Sequence, residues 1–256
     1  MSTRSEPWPA GTPCWVDYGA GDVDAAVSFY REVLGWTPQT AGPEFGGYVM
    51  CQVRGHDAAG IGPGTTPGVP PAWVTYLATT DADATAAAVT EAGGMVLAEP
   101  FEVMGLGRMA VVADPQGAVF GLWQALGHIG SSVVNEPGAL TWNEAALPDP
   151  AAGRRFYGQV FGYRYDHVAG AGEDYVTFST DGERALGGLG GPPAEGVPPH
   201  WLTYFAVADT DTTVAAARQR GASVEAGPFD TEFGRMATLT DPWGATFAVM
   251  GGGSAA

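Results

Sequence analysis

The sequence predicts an α+β protein built from two copies of one module of about 120 residues. Internal repetition is the first observation. Phe29-Tyr30-Arg31-Glu32-Val33-Leu34-Gly35-Trp36 returns 127 positions later as Phe156-Tyr157-Gly158-Gln159-Val160-Phe161-Gly162-Tyr163. The run GRMAVVADPQGAVF (Gly107 to Phe120) returns at the same spacing as GRMATLTDPWGATF (Gly234 to Phe247). PPAWVTYLA (Pro70 to Ala78) returns 128 positions later as PPHWLTYFA (Pro198 to Ala206). Three blocks in the same order leave little room for coincidence, so one structural unit has been used twice. The second observation is that each copy mixes strand-like alternation with helix-like periodicity.

Within the first copy, Cys14 to Gly19 reads as a strand. Asp22 is placed to cap a helix from Val23 to Leu34, and Gly35 to end it. Tyr48 to Val53 and Trp73 to Ala78 read as strands, from their β-branched and aromatic content. Ala82 to Ala92 is an alanine-rich helix closed by Gly93-Gly94. Met109 to Ala113 and Ala118 to Trp123 flank the turn Asp114-Pro115-Gln116-Gly117, a hairpin by its Pro and Gly placement. The second copy follows the same order. This divides the chain into module 1 (11–126), a turn-rich linker (127–138) and module 2 (139–250). Residues 1–10 and 251–256 are expected to be disordered ends.

Composition narrows the class. There are 28 acidic residues against 11 basic ones, all arginine, for a formal net charge of −17. No basic stripe exists to neutralise a phosphate backbone, so nucleic-acid partners are excluded and anionic membranes disfavoured. No apolar run approaches the roughly 20 residues that span a bilayer, and the opening residues carry no apolar signal-peptide core. A cytoplasmic protein is expected. Cys14 and Cys51, the two cysteines, read as buried, inert thiols.

FY…LGW after the first strand and DPxG before the last, twice over, resemble the vicinal-oxygen-chelate superfamily. That group holds glyoxalase I, extradiol dioxygenases, fosfomycin-modifying enzymes and bleomycin-resistance proteins. The likeness runs from about Thr12 to Met250, and is narrower still to two-module actinobacterial glyoxalase-like proteins, some encoded with anthracycline biosynthesis. It implies tandem βαβββ modules, paired βαβββ units curling around a shared cavity. Metal-dependent members place a His or Gln on a module's first strand, seven residues before the helix-capping Asp. They place a Glu on the last strand, seven after the Asp of DPxG. Carried over, the first-strand positions are Trp15 and Trp142, the last-strand positions Gly121 and Ala248, and the fifth-strand equivalents Val74 and Leu202. None of these side chains ligates a divalent ion, so no metal and no cofactor is expected. His56, His128, His167 and His200 lack paired spacing and read as solvated or hydrogen-bonded residues.

Strand alternation then sorts the side chains by face. If position 15 faces the cavity, as the resemblance implies, Trp15 and Asp17 line it while Val16 and Tyr18 pack outward. Trp142 and Glu144 do the same in the second copy. Tyr48, Met50 and Gln52 share a face, matched by Tyr175, Thr177 and Ser179. Tyr76 and Tyr204 take inward parity, and Trp123 shares parity with Gly121. Gly121 and Ala248 are small where the family has Glu, which is expected to leave room for a ligand. Trp36, Trp73, Trp201 and Trp243 read as core. A concave space walled by Trp and Tyr with a few polar groups suits a planar organic molecule, neutral or cationic.

Three roles are open to the Asp17/Glu144 pair: a general base, an attractor of a cationic amine, or partners of the repeated arginines Arg108 and Arg235. The corresponding functions are a protein that binds an aromatic metabolite for sequestration, self-resistance or delivery; a cofactor-less enzyme acting on a polyketide by cyclisation, ring opening or a hydroxylation-linked step; and a glyoxalase-type aldehyde detoxifier. Monomer and homodimer are both compatible with the doubled chain.

Overall fold

The computed structural model describes residues 2–64, 69–172, 174–191 and 197–252. Its first half runs β1 (Pro13–Ala20), α1 (Val23–Leu34), β2 (Thr37–Thr40), β3 (Val49–Val53), β4 (His56–Pro63), β5 (Ala72–Ala78), α2 (Ala82–Glu91), β6 (Met95–Val103), β7 (Gly107–Ala113) and β8 (Val119–Ala125). The second half repeats it as β9 (Leu140–Ala146), α3 (Pro150–Phe161), β10 (Arg164–His167), β11 (Val176–Ser179), β12 (Gly187–Gly190), β13 (His200–Val207), α4 (Thr210–Gln219), β14 (Ser223–Thr231), β15 (Gly234–Thr240) and β16 (Thr246–Gly251). Each half therefore holds two βαβββ units.

The strand orders are β2-β3-β4-β1-β5-β8-β7-β6 and β10-β11-β12-β9-β13-β16-β15-β14. Within each half the two units meet where their first strands pair antiparallel, β1 on β5 and β9 on β13, and each first strand pairs parallel with the last strand of its own unit. Each eight-stranded sheet is thus formed within one half of one chain.

The helices form where the sequence places them. Aspartates 22, 81, 149 and 209 cap the four N-termini by accepting a backbone N–H three residues on, satisfying donors that a helix start leaves unpaired. Gly35 and Gly162 end α1 and α3 at φ 74° and 71°, left-handed backbone that favours glycine.

The helices and outward-facing strand residues meet between the two sheets. One buried cluster joins Val16, Tyr18, Phe29, Tyr30 and Trp73 of the first half to Phe205, Val214, Phe247 and Val249 of the second. Its counterpart joins Leu77, Val89 and Phe120 to Phe156, Tyr157, Tyr163 and Trp201. Trp36, Trp73 and Trp201 are core as expected, and Trp243 packs on the first cluster half-buried.

Two matched polar ties lock this layer. Tyr30 Oη donates to Asp241 Oδ2 at 2.8 Å and accepts from Trp73 Nε1 at 2.9 Å. Tyr157 Oη donates to Asp114 Oδ2 at 3.1 Å and accepts from Trp201 Nε1 at 2.9 Å. Asp114 and Asp241 are the acids of the two DPxG turns, and their Oδ1 atoms hold those turns by accepting from Gln116 and Ala118, and from Trp243 and Ala245. Near the centre, Thr75, Asn143 and Thr203 are buried together and hydrogen-bonded.

The N-terminus departs from expectation. Residues 2–10 are laid along the linker instead of hanging free: Thr3 bridges Val133, the Arg4 amide donates to Ser132, and Trp8 Nε1 donates to the Ser131 carbonyl at 3.0 Å. The sparse apolar content of this arm hides an anchor, Trp8, which packs on aromatic residues of the first half. At the other end, Gly251 closes β16, and residues 253–256, the rest of the expected tail, lie outside the described residues. Among the described residues no helix is long and apolar enough to cross a membrane.

Replacing Tyr157 by Phe removes a donor to buried Asp114 together with the acceptor of Trp201, and replacing Tyr30 by Phe removes a donor to Asp241 together with the acceptor of Trp73. Each change should lower unfolding free energy in urea by about 1–3 kcal/mol. A loss under about 0.5 kcal/mol from both would show that these ties do not hold the halves together.

Candidate functional site

The face of each sheet turned away from the shared core carries a second, smaller set of buried residues. In the first half these are Cys14, Trp15, Tyr76, Ala78 and Trp123, with Met50, Val74 and Met109 packed against them. In the second they are Leu202, Tyr204 and Ala248, with Trp142 and Met236. These outer faces, cups 1 and 2, bring Trp15, Asp17 and Tyr76 together as alternation predicts. Val16 and Tyr18 point into the shared core.

Each cup is organised by one network. In cup 2, Trp142 Nε1 donates to Tyr175 Oη at 3.2 Å. Tyr175 Oη donates to Glu144 Oε2 at 3.1 Å, and Tyr204 Oη to Glu144 Oε1 at 2.7 Å. In cup 1, Trp15 Nε1 donates to Tyr48 Oη at 3.1 Å, and the phenols of Tyr48 and Tyr76 both hydrogen-bond to Asp17. Each carboxylate is therefore held by two phenols, one of which is itself held by an indole.

Burial pushes the Asp17 carboxyl up to about 7, against the downward pull of its Tyr76 and Tyr48 hydrogen bonds. Glu144 is raised by burial too, opposed by Tyr204 and Tyr175 and by the nearby His200. An acid that titrates near neutrality can carry or exchange a proton.

The third role considered for this pair does not survive. Arg108 is taken by Asp83, Nε to Oδ2 at 2.6 Å, and Arg235 by Asp211 at 2.6 Å and Asp230 at 3.1 Å. These pairs join each GRM strand to the start of a helix, while Asp230 and the Pro100 carbonyl tie Arg235 and Arg108 to their hairpin partner strands. The carboxylates in the cups lie on a different face.

Gly121 also differs from expectation. Tyr76 pairs with Gly121 in register, and its ring occupies the space that a side chain at 121 would fill. The missing side chain makes room for the protein's own tyrosine rather than for a ligand. Tyr204 lies against Ala248 in the same register. Tyr48 lies over Gly60 and Gly62 of β4, and Tyr175 over Gly188 and Gly190 of β12, with a Cβ at any of the four meeting the tyrosine. Sequence reasoning missed these glycines, although Gly-x-Gly recurs at 128 positions, from Gly60-Ile61-Gly62 to Gly188-Leu189-Gly190.

The other candidates sit as follows. Met50 packs on the cup 1 cluster. Thr177 is half-buried on β11 and reaches the Asp166 carbonyl at 3.5 Å. Trp123 is buried, and its Nε1 donates to the His128 carbonyl at 2.9 Å. That linker histidine was also missed as a cup residue. Its ring meets Trp15 edge-on at 4.7 Å between centroids and Trp123 at 5.8 Å. Burial lowers its pKa, against the pull of Asp57. A separate cleft of about 240 Å³ opens between the N-terminal arm and the ends of β5 and β8, lined by Trp8, Ala78, Trp123 and Ile129 among others. Neither carboxylate lines it.

A divalent ion does not fit the positions where the fold family holds one. Trp15, Val74 and Gly121, and Trp142, Leu202 and Ala248, offer no ligating atom, and the space above Gly121 is filled by Tyr76. Among the described residues no three His, Cys, Asp or Glu side chains come together as a metal cluster. Both cysteines are free and buried, and burial raises both thiols far from thiolate chemistry.

The raised Asp17 makes stability depend on pH. Because the folded protein holds this proton more tightly than the unfolded chain, its contribution is full below the unfolded value near 4 and lost as pH rises through about 7. Asp17→Asn, which cannot ionise, should therefore gain on the wild type between pH 5 and pH 8 by about 2–3 kcal/mol in urea unfolding. A difference that stays flat over this range would show that Asp17 titrates like an exposed carboxylate.

Sequence and structure comparisons agree with this architecture. The chain is 42% identical to CFP32 of Mycobacterium tuberculosis across 98% of each protein. It is 39% identical to the anthracycline biosynthesis protein DauV of Streptomyces sp. strain C5, across 94% of this chain and 93% of that one. In fold it resembles the Mn(II)-bound glyoxalase of Novosphingobium aromaticivorans, with a TM-score of 0.65 at 17% identity, over 94% of this chain and 82% of that one. The profile of the Glyoxalase/Bleomycin resistance protein/Dioxygenase superfamily matches residues 14–122 and again 126–249. The chain belongs to that superfamily, with two of its modules in tandem.

Proposed function

We propose that this protein binds a planar aromatic small molecule of polyketide or anthracycline type on a concave face of its sheets, without a metal ion, in sequestration, self-resistance or a biosynthetic step. The observation that carries this reading is the network in each cup: an indole at a position where metal-binding members of the family carry a ligand, two phenols and a half-buried carboxylate. Trp and Tyr supply flat apolar surface with polar edges, and the carboxylate gives a fixed point for an amine or hydroxyl on the ligand. The strongly acidic chain draws cationic molecules toward it. Likeness over nearly the full length to DauV, and to DnrV of Streptomyces peucetius at 38% identity, supports a ligand of anthracycline type.

A second reading is favoured by the phenol-held acids. A carboxyl near neutrality, such as Asp17, is suited to act as general base in a cofactor-less reaction. In that case Asp17→Asn or Glu144→Gln abolishes turnover while affinity survives.

Titration with an anthracycline, followed by tryptophan fluorescence with metal analysis on the same sample, decides the first reading. Saturable quenching at micromolar concentration or below, on metal-free protein, is expected. Absence of quenching together with a stoichiometric bound metal would sink it.

A further inference from the structure

The two cups share their network and differ in what covers it. Past β8 the chain turns across cup 1. The His128 amide donates to the Leu106 carbonyl at 2.8 Å, and Ser131 and Ser132 donate to Cys14 and Asp57. This strap wedges the His128 ring against Trp15 and Trp123, and Trp8 of the N-terminal arm packs beside it. Asp17 and Tyr48 keep some surface, but Trp15, the ring a flat ligand would stack on, is 5% exposed.

Cup 2 carries no such cover among the described residues. Trp142, Tyr175 and Glu144 are all half-buried. Cup 2 also has a polar side chain at a strand position that is apolar in cup 1. His200 stands where the first half has Ala72, and strand alternation puts it on the face of Leu202 and Tyr204. Its Nδ1 donates to the Pro198 carbonyl at 2.9 Å, leaving Nε2 for another partner.

We propose that cup 2 is the single ligand site, taking a planar aromatic amine with its ring system on Trp142, its cation at Glu144 and a ring oxygen at His200, and that cup 1 is a structural relic locked by the His128 strap. This assignment rests on the binding reading above and narrows it to one face of the molecule. One flat ring needs one exposed indole, and the strap removes the other. A carboxylate that already accepts from two phenols still has lone pairs for an ammonium group.

The test is calorimetric titration of an anthracycline bearing an amino sugar into wild type, Trp142→Phe and Glu144→Gln, each checked for native circular dichroism. The expected result is one molecule per chain, with affinity reduced tenfold or more by either substitution. Two equivalent molecules per chain, or one whose affinity survives both substitutions, overturns the assignment. If wild type binds none, the binding reading itself fails, and acrylamide quenching still decides which cup is open. Trp142→Phe should then remove a quencher-accessible part of the emission; its removal by Trp15→Phe instead overturns the assignment.

Discussion

The aspartate of each D-P-x-G turn holds the molecule together at two levels. One oxygen collects backbone amides and shapes its own hairpin, while the other reaches into the opposite half to a tyrosine fixed by a tryptophan. A buried carboxylate is costly unless its lone pairs are filled, so neither turn keeps this arrangement without the other half in place. Tyr30 of α1 satisfies Asp241, and Tyr157 of α3 satisfies Asp114. The exchange turns the helical faces of the two sheets toward each other and leaves the faces that carry the cups looking outward.

The outward faces inherit the family's geometry with different chemistry. Where a metal-binding member needs a ligand on its last strand, this chain has Gly121 or Ala248, and a tyrosine from the neighbouring strand lies across the gap. Glycines at 60, 62, 188 and 190 let a second tyrosine lie flat on the sheet and reach the carboxylate. A Cβ at these positions would displace a ring whose hydroxyl is committed on both sides, as donor to an acid and acceptor from an indole. The substitutions therefore make sense as a set. The strap and the N-terminal arm then break the twofold likeness, since a linker exists after the first half and has no counterpart among the described residues after the second.

Much of the fold was legible in the chain. Repetition exposed the two halves, the capping aspartates and terminal glycines marked α1 and α3, and alternation sorted β1 and β9 into a core face and a concave face. The strands that stayed hidden have physical reasons. β12 is Gly-Gly-Leu-Gly and β4 sets Gly60 and Gly62 beside two alanines, because tyrosines must lie on these glycines, and so neither carries a run of β-branched residues. β6 contains Pro100 and sits at a sheet edge, where proline is tolerated but weakens a strand reading. β2 has only four residues.

Taken alone, the sequence determined which side chains share a face of a strand, because alternation is local and needs no partner. That local rule is enough to set Trp15 beside Asp17, and Trp142 beside Glu144. Which groups complete each network, that Arg108 and Arg235 serve exposed ion pairs, and that a linker histidine enters one cup but not the other were decided only by tertiary structure. Those contacts join residues far apart in the chain, Trp15 to His128 and Tyr157 to Asp114 among them. Long-range juxtaposition leaves no periodic trace, because it is set by how two sheets close and pack, not by the spacing of residues along either one.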